Sequence, residues 1–322
     1  MIAAQWNHIG DFNQISGDER CFLPSQLWGR EEDYLWYSTG DLANRSDLAS
    51  GVLGEATLQA RYIRGAFDDK PFTLGKYEGT RIRIAIAELA ANGGAPMGFY
   101  TNFKDPEARR EIVRYYGFLR RYENLLRANR SYAEVLLMFP RSRVHEGDVA
   151  AVSRFKEMGK ALLNGHVLFD ILPDDRATPT VRSRYDVVID PFEAGVVATN
   201  IMERLTPRIS RFEAPTTVRV SASRPASGNE ITLHFVNYNR EEPTDKTNRG
   251  KGIADEKPIA ATGAAVGLQL PPGFKAQKVE FLTPEHDQAQ NIPFRQVGER
   301  LRLQVPEFLV YGIVRVQSSD SK

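Results

Sequence analysis

The carboxylate best placed to do chemistry in this sequence is Glu78. It follows a short apolar stretch in the run Lys70-Pro-Phe-Thr-Leu-Gly-Lys-Tyr-Glu-Gly-Thr80. A helical pattern follows at once, Arg81-Ile-Arg-Ile-Ala-Ile-Ala-Glu-Leu-Ala-Ala91, and is stopped by Asn92-Gly93-Gly94. Strand, carboxylate, helix is the repeating unit of a (β/α) barrel, whose chemistry collects at the C-terminal strand ends. A carboxylate there can act as a nucleophile or as a general acid or base. In the structural alternative it sits at a helix N-terminus, stabilised by the dipole. Asp11 and Asp41 stand at equivalent places after two earlier strand patterns, and either could bind hydroxyls, serve as an acid or be a solvated loop residue. Trp6, Trp36, Tyr37, Tyr77 and Tyr100 lie at or near strand ends, where an aromatic face can stack on a ligand ring or pack into a core. Asn7 could hydrogen-bond a hydroxyl or cap a loop. Arg81 and Arg83, on the helix after Glu78, could hold that carboxylate ionised.

Other chemistries have less behind them. The histidines, His8, His145, His166, His234 and His286, are scattered without ligand spacing, so no metal is expected. Cys21 lies in a polar stretch without a nucleophile signature, and a single cysteine forms no intramolecular disulfide. Asp174-Asp175 could ligate a cation or form a turn. The segment Arg141-Ser-Arg-Val-His-Glu-Gly147, after the strand pattern at 133–140, lacks the Gly/Ser/Thr-rich cradle that a flavin or nucleotide would need. Neither a G-x-G-x-x-G nor a G-K-[ST] element is present, so no cofactor is expected.

The 322 residues suggest two or three domains, and the 42 basic and 41 acidic side chains leave a net charge of +1. That balance gives no reason to expect nucleic acid or an anionic membrane as a partner. No apolar run approaches the ~18 residues of a membrane span. The start, Met1-Ile-Ala-Ala-Gln-Trp-Asn-His-Ile-Gly10, lacks the basic and apolar regions of a signal peptide and reads as a strand already under way.

These residues need a frame, and the hydrophobic pattern supplies one. Residues 1–130 alternate strand patterns (2–9, 34–40, 71–77, 95–102) with helical ones (54–67, 80–91, 105–128), an order that implies a parallel sheet. Residues 131–212 start afresh as an abbreviated flavodoxin-like α/β layer. Its buried strand is Ala133-Glu-Val-Leu-Leu-Met-Phe-Pro140, its amphipathic helix spans 147–164, and further strands lie at 167–172 and 185–189. Residues 213–322 lose the helical period. Short strands at 217–223, 230–239, 266–270, 278–282, 301–305 and 308–316 give the pattern of a β-sandwich, with a polar loop at 240–258.

The run 79–102 and the helix after it resemble the end of the catalytic barrel in β-galactosidase-like glycoside hydrolases. The likeness extends to relatives whose barrel is followed by a flavodoxin-like trimerisation domain and a β-sandwich. It rests on Leu74-Gly-Lys-Tyr-Glu78, Ala87-Glu-Leu-Ala-Ala-Asn-Gly-Gly-Ala-Pro-Met-Gly98, Phe139-Pro-Arg141 with Val144-His-Glu-Gly-Asp148, and Phe169-Asp-Ile-Leu-Pro-Asp-Asp175. His234-Phe-Val-Asn-Tyr-Asn239 and Pro306-Glu-Phe-Leu-Val-Tyr311 resemble the terminal sandwich.

The resemblance implies an α/β plus all-β chain. Residues 1–130 would be the C-terminal half of a TIM (β/α)₈ barrel (strands five to eight), 131–212 the trimerisation-type domain and 213–322 the sandwich. It implies retaining hydrolysis of glycosidic bonds with Glu78 as the nucleophile at strand seven and a carbohydrate substrate held by Trp6, Asn7, Trp36, Tyr37, Asp41, Tyr77 and Tyr100. The acid/base belongs to strand four, which places it before Met1, so the chain is expected to be incomplete or to join a homo-oligomer that completes the barrel. The alternative is a non-catalytic carbohydrate-binding or assembly protein without the first half-barrel.

Overall fold

The computed structural model describes residues 3–4, 33–38, 48, 53–76, 82–98, 106–148, 150–226, 229–241 and 257–318. Four strands, β1 (Ala3–Ala4), β2 (Tyr34–Ser38), β3 (Phe72–Lys76) and β4 (Ala95–Gly98), form a parallel sheet in the order of the chain. No closed barrel is present among the described residues, and β1 and β4 each have one described neighbour. Between the strands run α1 (Glu55–Ala66) and α2 (Ile82–Ala91), and after β4 come α3 (Pro106–Arg121) and the single turn α4 (Glu123–Leu126).

The α2 sequence, Ile-Arg-Ile-Ala-Ile-Ala-Glu-Leu-Ala-Ala, is apolar on nearly every side, and such a helix must be covered all round. Ile84, Ile86, Ala87 and Leu89 are all buried. Its stop is a Schellman motif. Gly94 N–H donates to Leu89 O at 2.9 Å, Gly93 N–H donates to Ala90 O at 3.3 Å, and Gly93 takes the left-handed φ of 80°. Gly94 is needed for a second reason: a Cβ there would lie 2.6 Å from the Phe72 ring.

Next come β5 (Arg130–Ser131), β6 (Val135–Phe139), α5 (Arg141–His145), α6 (Ala150–Asn164), β7 (Phe169–Pro173), α7 (Pro179–Arg182) and β8 (Val187–Ile189). Strands β7, β6 and β8 form a three-stranded parallel sheet with β6 central, and all five β6 residues are buried. The α6 helix also ends in a Schellman motif, one residue later than the Asn164-Gly165 signal suggests. His166 takes the left-handed position at φ 54°, and Val167 N–H donates to Leu162 O at 3.0 Å. Gly165 answers a different demand, because a Cβ there would meet the Met202 methyl at 2.4 Å.

The remaining strands are β9 (Arg211–Glu213), β10 (Val218–Arg224), β11 (Glu230–Asn237), β12 (Ala265–Gln269), β13 (Ala276–Leu282), β14 (Gln290–Asn291), β15 (Phe294–Val297), β16 (Arg300–Gln304) and β17 (Tyr311–Ser318). They make two antiparallel sheets, β14-β13-β17-β11-β10-β5 and β15-β16-β12-β9. Val220, Leu233, Phe235, Val266, Leu268, Phe281, Leu301 and Val314 fill the space between them. β5 enters this sheet beside β10, so the chain touches the sandwich before it builds the three-stranded sheet.

Two further cores join these layers. Leu58, Tyr62 and Ile63 of α1 pack with Phe72 and Leu74 of β3, with Leu137 and Phe139 of β6, and with Phe155 and Met158 of α6. The Tyr62 and Phe139 ring centroids are 4.6 Å apart. The approach of α1 to β7 is so close that a Cβ on Gly65 would lie 1.9 Å from Ile171 O. Ile84 and Ile86 of α2 and Tyr115 and Phe118 of α3 pack against Val236, Tyr311 and Ile313 on the outer face of the six-stranded sheet.

Candidate functional site

The four parallel strands run the same way, so their C-terminal ends share one edge. Ser38 pairs with Gly75 and Lys76 pairs with Gly98, which makes that edge level across β2, β3 and β4. The segments bearing Trp6 and Asn7, Asp41, Tyr77 and Glu78, and Tyr100 leave from β1, β2, β3 and β4 respectively. Glu78 follows the last residue of β3 by two positions, and β3 is an interior strand paired on both sides. Trp6, Asn7, Asp11, Asp41, Tyr77, Glu78, Arg81 and Tyr100 themselves lie outside the described residues. Trp36 and Tyr37 occupy the middle of β2, opposite Thr73 and Leu74. Arg83 is buried on α2, and its Nε lies 3.5 Å from Glu111 Oε2 of α3.

Behind this edge, α1 and α2 share a buried polar network. Thr57 donates its backbone N–H to Glu88 Oε1 at 2.9 Å and its hydroxyl to the same oxygen at 3.1 Å. Asn92 Nδ2 donates to Thr57 Oγ1 at 3.3 Å and to Glu88 O at 2.7 Å. Arg61 Nε donates to Asn92 Oδ1 at 3.2 Å, while its terminal nitrogens reach Phe169 O of β7 at 3.1 Å and Val220 O of β10 at 3.0 Å. Burial pulls the Arg61 guanidinium down to about 10, opposed by the charge of Asp170. A guanidinium this buried is tolerated because its donors are aimed at fixed acceptors. One side chain on α1 thereby ties the turn after α2 to two sheets.

A second buried group looks catalytic in outline and is structural in fact. Ser223 Oγ lies 3.0 Å from His234 Nε2, and His234 Nδ1 lies 2.8 Å from the Tyr311 hydroxyl. Nucleophile-to-base spacing of that kind is what acyl transfer needs. Yet His234 and Tyr311 are 0% exposed and Ser223 is 2% exposed, so no substrate reaches them. Burial holds the His234 imidazole down to about 3, too weak a base for the task. The third group is Glu134, which accepts from Ser210 N–H at 2.8 Å and from Ser210 Oγ at 2.9 Å. Burial raises its carboxyl to about 7, against the Ser210 hydrogen bonds.

The residues that follow the two parallel strands of the middle layer are spent on the fold. Arg141 Nε and Nη2 fork onto Asp175 at 3.0 and 2.5 Å. Asp174 accepts the Ser142 N–H at 3.2 Å at the start of α5. Asp174 and Asp175 thus serve as a cap and an ion pair between two of the phrases that carried the family resemblance. Among the described residues no trio of His, Cys, Asp or Glu side chains converges as a metal set. No described helix is long and apolar enough to cross a membrane.

Two concavities lie away from the sheet edge. One, of about 240 Å³, is walled by Arg64, Asp68, Asp69, Asp170, Arg176 and Tyr185. Most of its charges have partners: Arg64 pairs with Asp69, Arg176 with Asp68, and Asp170 accepts from Ser131 and Tyr185, while the exposed Arg184 lines the rim. The other, of about 810 Å³, lies over β9, β12, β15 and β16 and is rich in arginine. The sequence reading missed this face, although the alternation in Arg300-Leu-Arg-Leu-Gln304 and Arg211-Phe-Glu213 is its signal.

No protein-family model matches the chain, and no curated protein matches it either. Solved structures do. An α-L-fucosidase isoenzyme 2 from Paenibacillus thiaminolyticus aligns at TM-score 0.60 and 13% identity, over 89% of this chain and 68% of its own. A cold-adapted β-galactosidase from Rahnella sp. R3 aligns at TM-score 0.53 and 10% identity, over 91% of this chain and 61% of its own. A catalytic mutant of a GH42 β-galactosidase from G. stearothermophilus aligns at TM-score 0.52 and 9% identity, over 90% of this chain and 60% of its own. The chain therefore spans about three fifths of the length of either β-galactosidase. At these identities the likeness is one of fold: over most of its length this chain is built like parts of glycoside hydrolases.

Proposed function

We propose that this chain is part of a retaining glycosidase with Glu78 as its nucleophile. The observation that carries the reading is the place of β3, an interior strand of a parallel sheet whose C-terminal end leads within two residues to Glu78. In the reaction, the Glu78 carboxylate attacks the anomeric carbon while a second carboxyl group ~5–5.5 Å away protonates the departing oxygen. The same second group then deprotonates the water that hydrolyses the glycosyl ester and releases Glu78. Trp6, Trp36, Tyr37, Tyr77 and Tyr100 offer stacking faces to the sugar, and Asn7 and Asp41 offer hydrogen bonds to its hydroxyls. The strands take the places of barrel strands five to eight, and residues 131–212 and 213–322 act as trimerisation-type and sandwich domains. The second carboxyl comes from the strand-four position, in a preceding segment or a partner chain.

Aryl α-L-fucosides and β-D-galactosides are the first substrates to try, because enzymes named for those sugars share the fold. Turnover lost in Glu78→Gln, and restored in Glu78→Gly by azide with a glycosyl azide as product, is the expected result. Turnover unchanged in Glu78→Gln would overturn the assignment. Sugar binding without turnover in any form of the protein would favour the non-catalytic binding module.

A further inference from the structure

The outer face of the small sandwich sheet carries a row of arginines. Arg295 of β15 pairs with Arg302 of β16, Arg302 with Gly267 of β12, and Gly267 with Arg211 of β9. Residues paired across a sheet project on the same side, so the row reads Arg, Arg, Gly, Arg. Their neighbours Phe212, Val266, Leu268, Leu301 and Leu303 point the other way, into the core. Arg211, Arg295 and Arg302 are exposed, and none forms an ion pair with a described residue. Gly267 leaves a gap in the row, and Ala265 beside it keeps the floor near backbone level. The groove of about 810 Å³ lies over this floor, with Glu213 as the single acid in its described lining.

A fourth arginine fixes the shape. Arg300 donates to Ile209 O and Gly267 O at 2.9 and 2.8 Å, and to Arg208 O at 2.8 Å. It pins the segment entering β9 against β12, so Arg211 is held at a set distance from Arg302. With strands ~4.8 Å apart, the Arg295 and Arg302 backbones are one spacing apart, and those of Arg302 and Arg211 are two. The net charge of the chain is +1, so this concentration of unpaired guanidinium is local.

We propose that this groove binds a carboxylated oligosaccharide, a chain of uronic acids, lying across the strands. A guanidinium presents a flat pair of donors that matches a carboxylate, and a row of them at strand spacing suits carboxylates repeated along an extended pyranose chain. The choice of a glycan over other polyanions rests on the glycosidase reading, and the groove is separate from the Glu78 edge.

The test is calorimetric titration of the whole chain with tetragalacturonate, neutral β-1,4-galactotetraose and an inorganic polyphosphate of equal charge. Tetragalacturonate should bind, the neutral sugar should not, and polyphosphate should bind at least tenfold more weakly. Arg302→Gln should weaken tetragalacturonate at least tenfold, Arg302→Lys should fall between, and Arg211→Gln with Arg295→Gln should abolish binding. These side chains are exposed, so the thermal midpoint of each variant should stay at the wild-type value. Glu78→Gln should bind as wild type does, which separates the two proposals: tetragalacturonate binding with glycoside turnover unchanged in Glu78→Gln sinks the nucleophile alone, and turnover lost in Glu78→Gln without tetragalacturonate binding sinks the groove alone. No binding of tetragalacturonate, polyphosphate binding of equal strength, or an affinity indifferent to the arginine substitutions would overturn the proposal.

Discussion

Glu134→Gln should cross the wild-type stability curve as pH changes. Burial raises the Glu134 carboxyl to about 7 in the folded chain, from an ordinary value of 4.5. The folded state therefore holds this proton more tightly than the unfolded state does. Stability falls as pH rises from about 4.5 towards 7, because the unfolded chain releases the proton first. Below that window the group costs nothing. Above it the charged form is fully penalised, by roughly 3 kcal/mol for a shift of this size. Glutamine removes the charge, yet it leaves a mismatch. Ser210 Oγ now donates to Glu134 and accepts from Gln269 N–H at 2.9 Å. With the amide oxygen at the Oε1 position both Ser210 donors keep an acceptor, but the amide nitrogen at the Oε2 position sets a donor against the Ser210 N–H, a loss of about 1 kcal/mol. The variant should therefore be about 1 kcal/mol less stable than wild type near pH 4.5 and about 2 kcal/mol more stable near pH 8. Urea unfolding of both proteins across that range measures the difference, in which every other titrating group cancels. Parallel stability curves would refute the reasoning, since they would mean that Glu134 has the same proton affinity folded and unfolded.

Gly65→Ala should be among the most damaging single-methyl changes in the chain. Its Cβ would stand 1.9 Å from Ile171 O, and α1 cannot withdraw from β7 without opening the Tyr62–Phe139 contact. A loss of about 3 kcal/mol by urea unfolding is expected. Gly94→Ala meets a ring rather than backbone, at 2.6 Å from Phe72, and should cost about 1–3 kcal/mol. Arg61→Met should cost at least about 3 kcal/mol, because it strands the Asn92 side-chain oxygen and the carbonyls of Phe169 and Val220. Tyr311→Phe removes the partner of His234 Nδ1 and should cost about 1–2 kcal/mol in thermal unfolding, with any glycosidase turnover unchanged per folded molecule.

Much of the element order is legible because its signals are local. The helical period in α1, α2, α3 and α6 and the apolar run of β6 each need a short window of sequence. The stop after α2 is legible for the same reason, since Asn92-Gly93-Gly94 supplies the residue that takes φ 80°. The stop after α6 shows the limit. Gly165 looks like the left-handed residue, but Met202, far along the chain, claims the space beside it, and the turn passes to His166. The strands that escaped, β5, β9, β14 and β15, have two to four residues and exist through their partners. The chemistry was less legible than the fold. Glu134, His234 and Arg61 look ordinary in sequence, and their altered proton affinities come from burial by residues distant along the chain.

The buried polar groups also explain how an open parallel sheet coexists with the rest of the molecule. An all-parallel sheet needs cover on its faces. Here α1 and α2 supply it, and each is covered in turn, α1 by β6 and α6, α2 by the outer face of the six-stranded sheet. Apolar packing alone would allow these layers to slide, because hydrophobic burial is not directional. Arg61 does not allow it. Its donors reach Asn92, Phe169 and Val220, one acceptor from each layer, and a shift of any layer leaves a buried donor unmet. Glu134 sets the α/β layer against the sandwich in the same way, through Ser210 and Gln269. Buried polar groups therefore fix how the parallel sheet sits against the other layers.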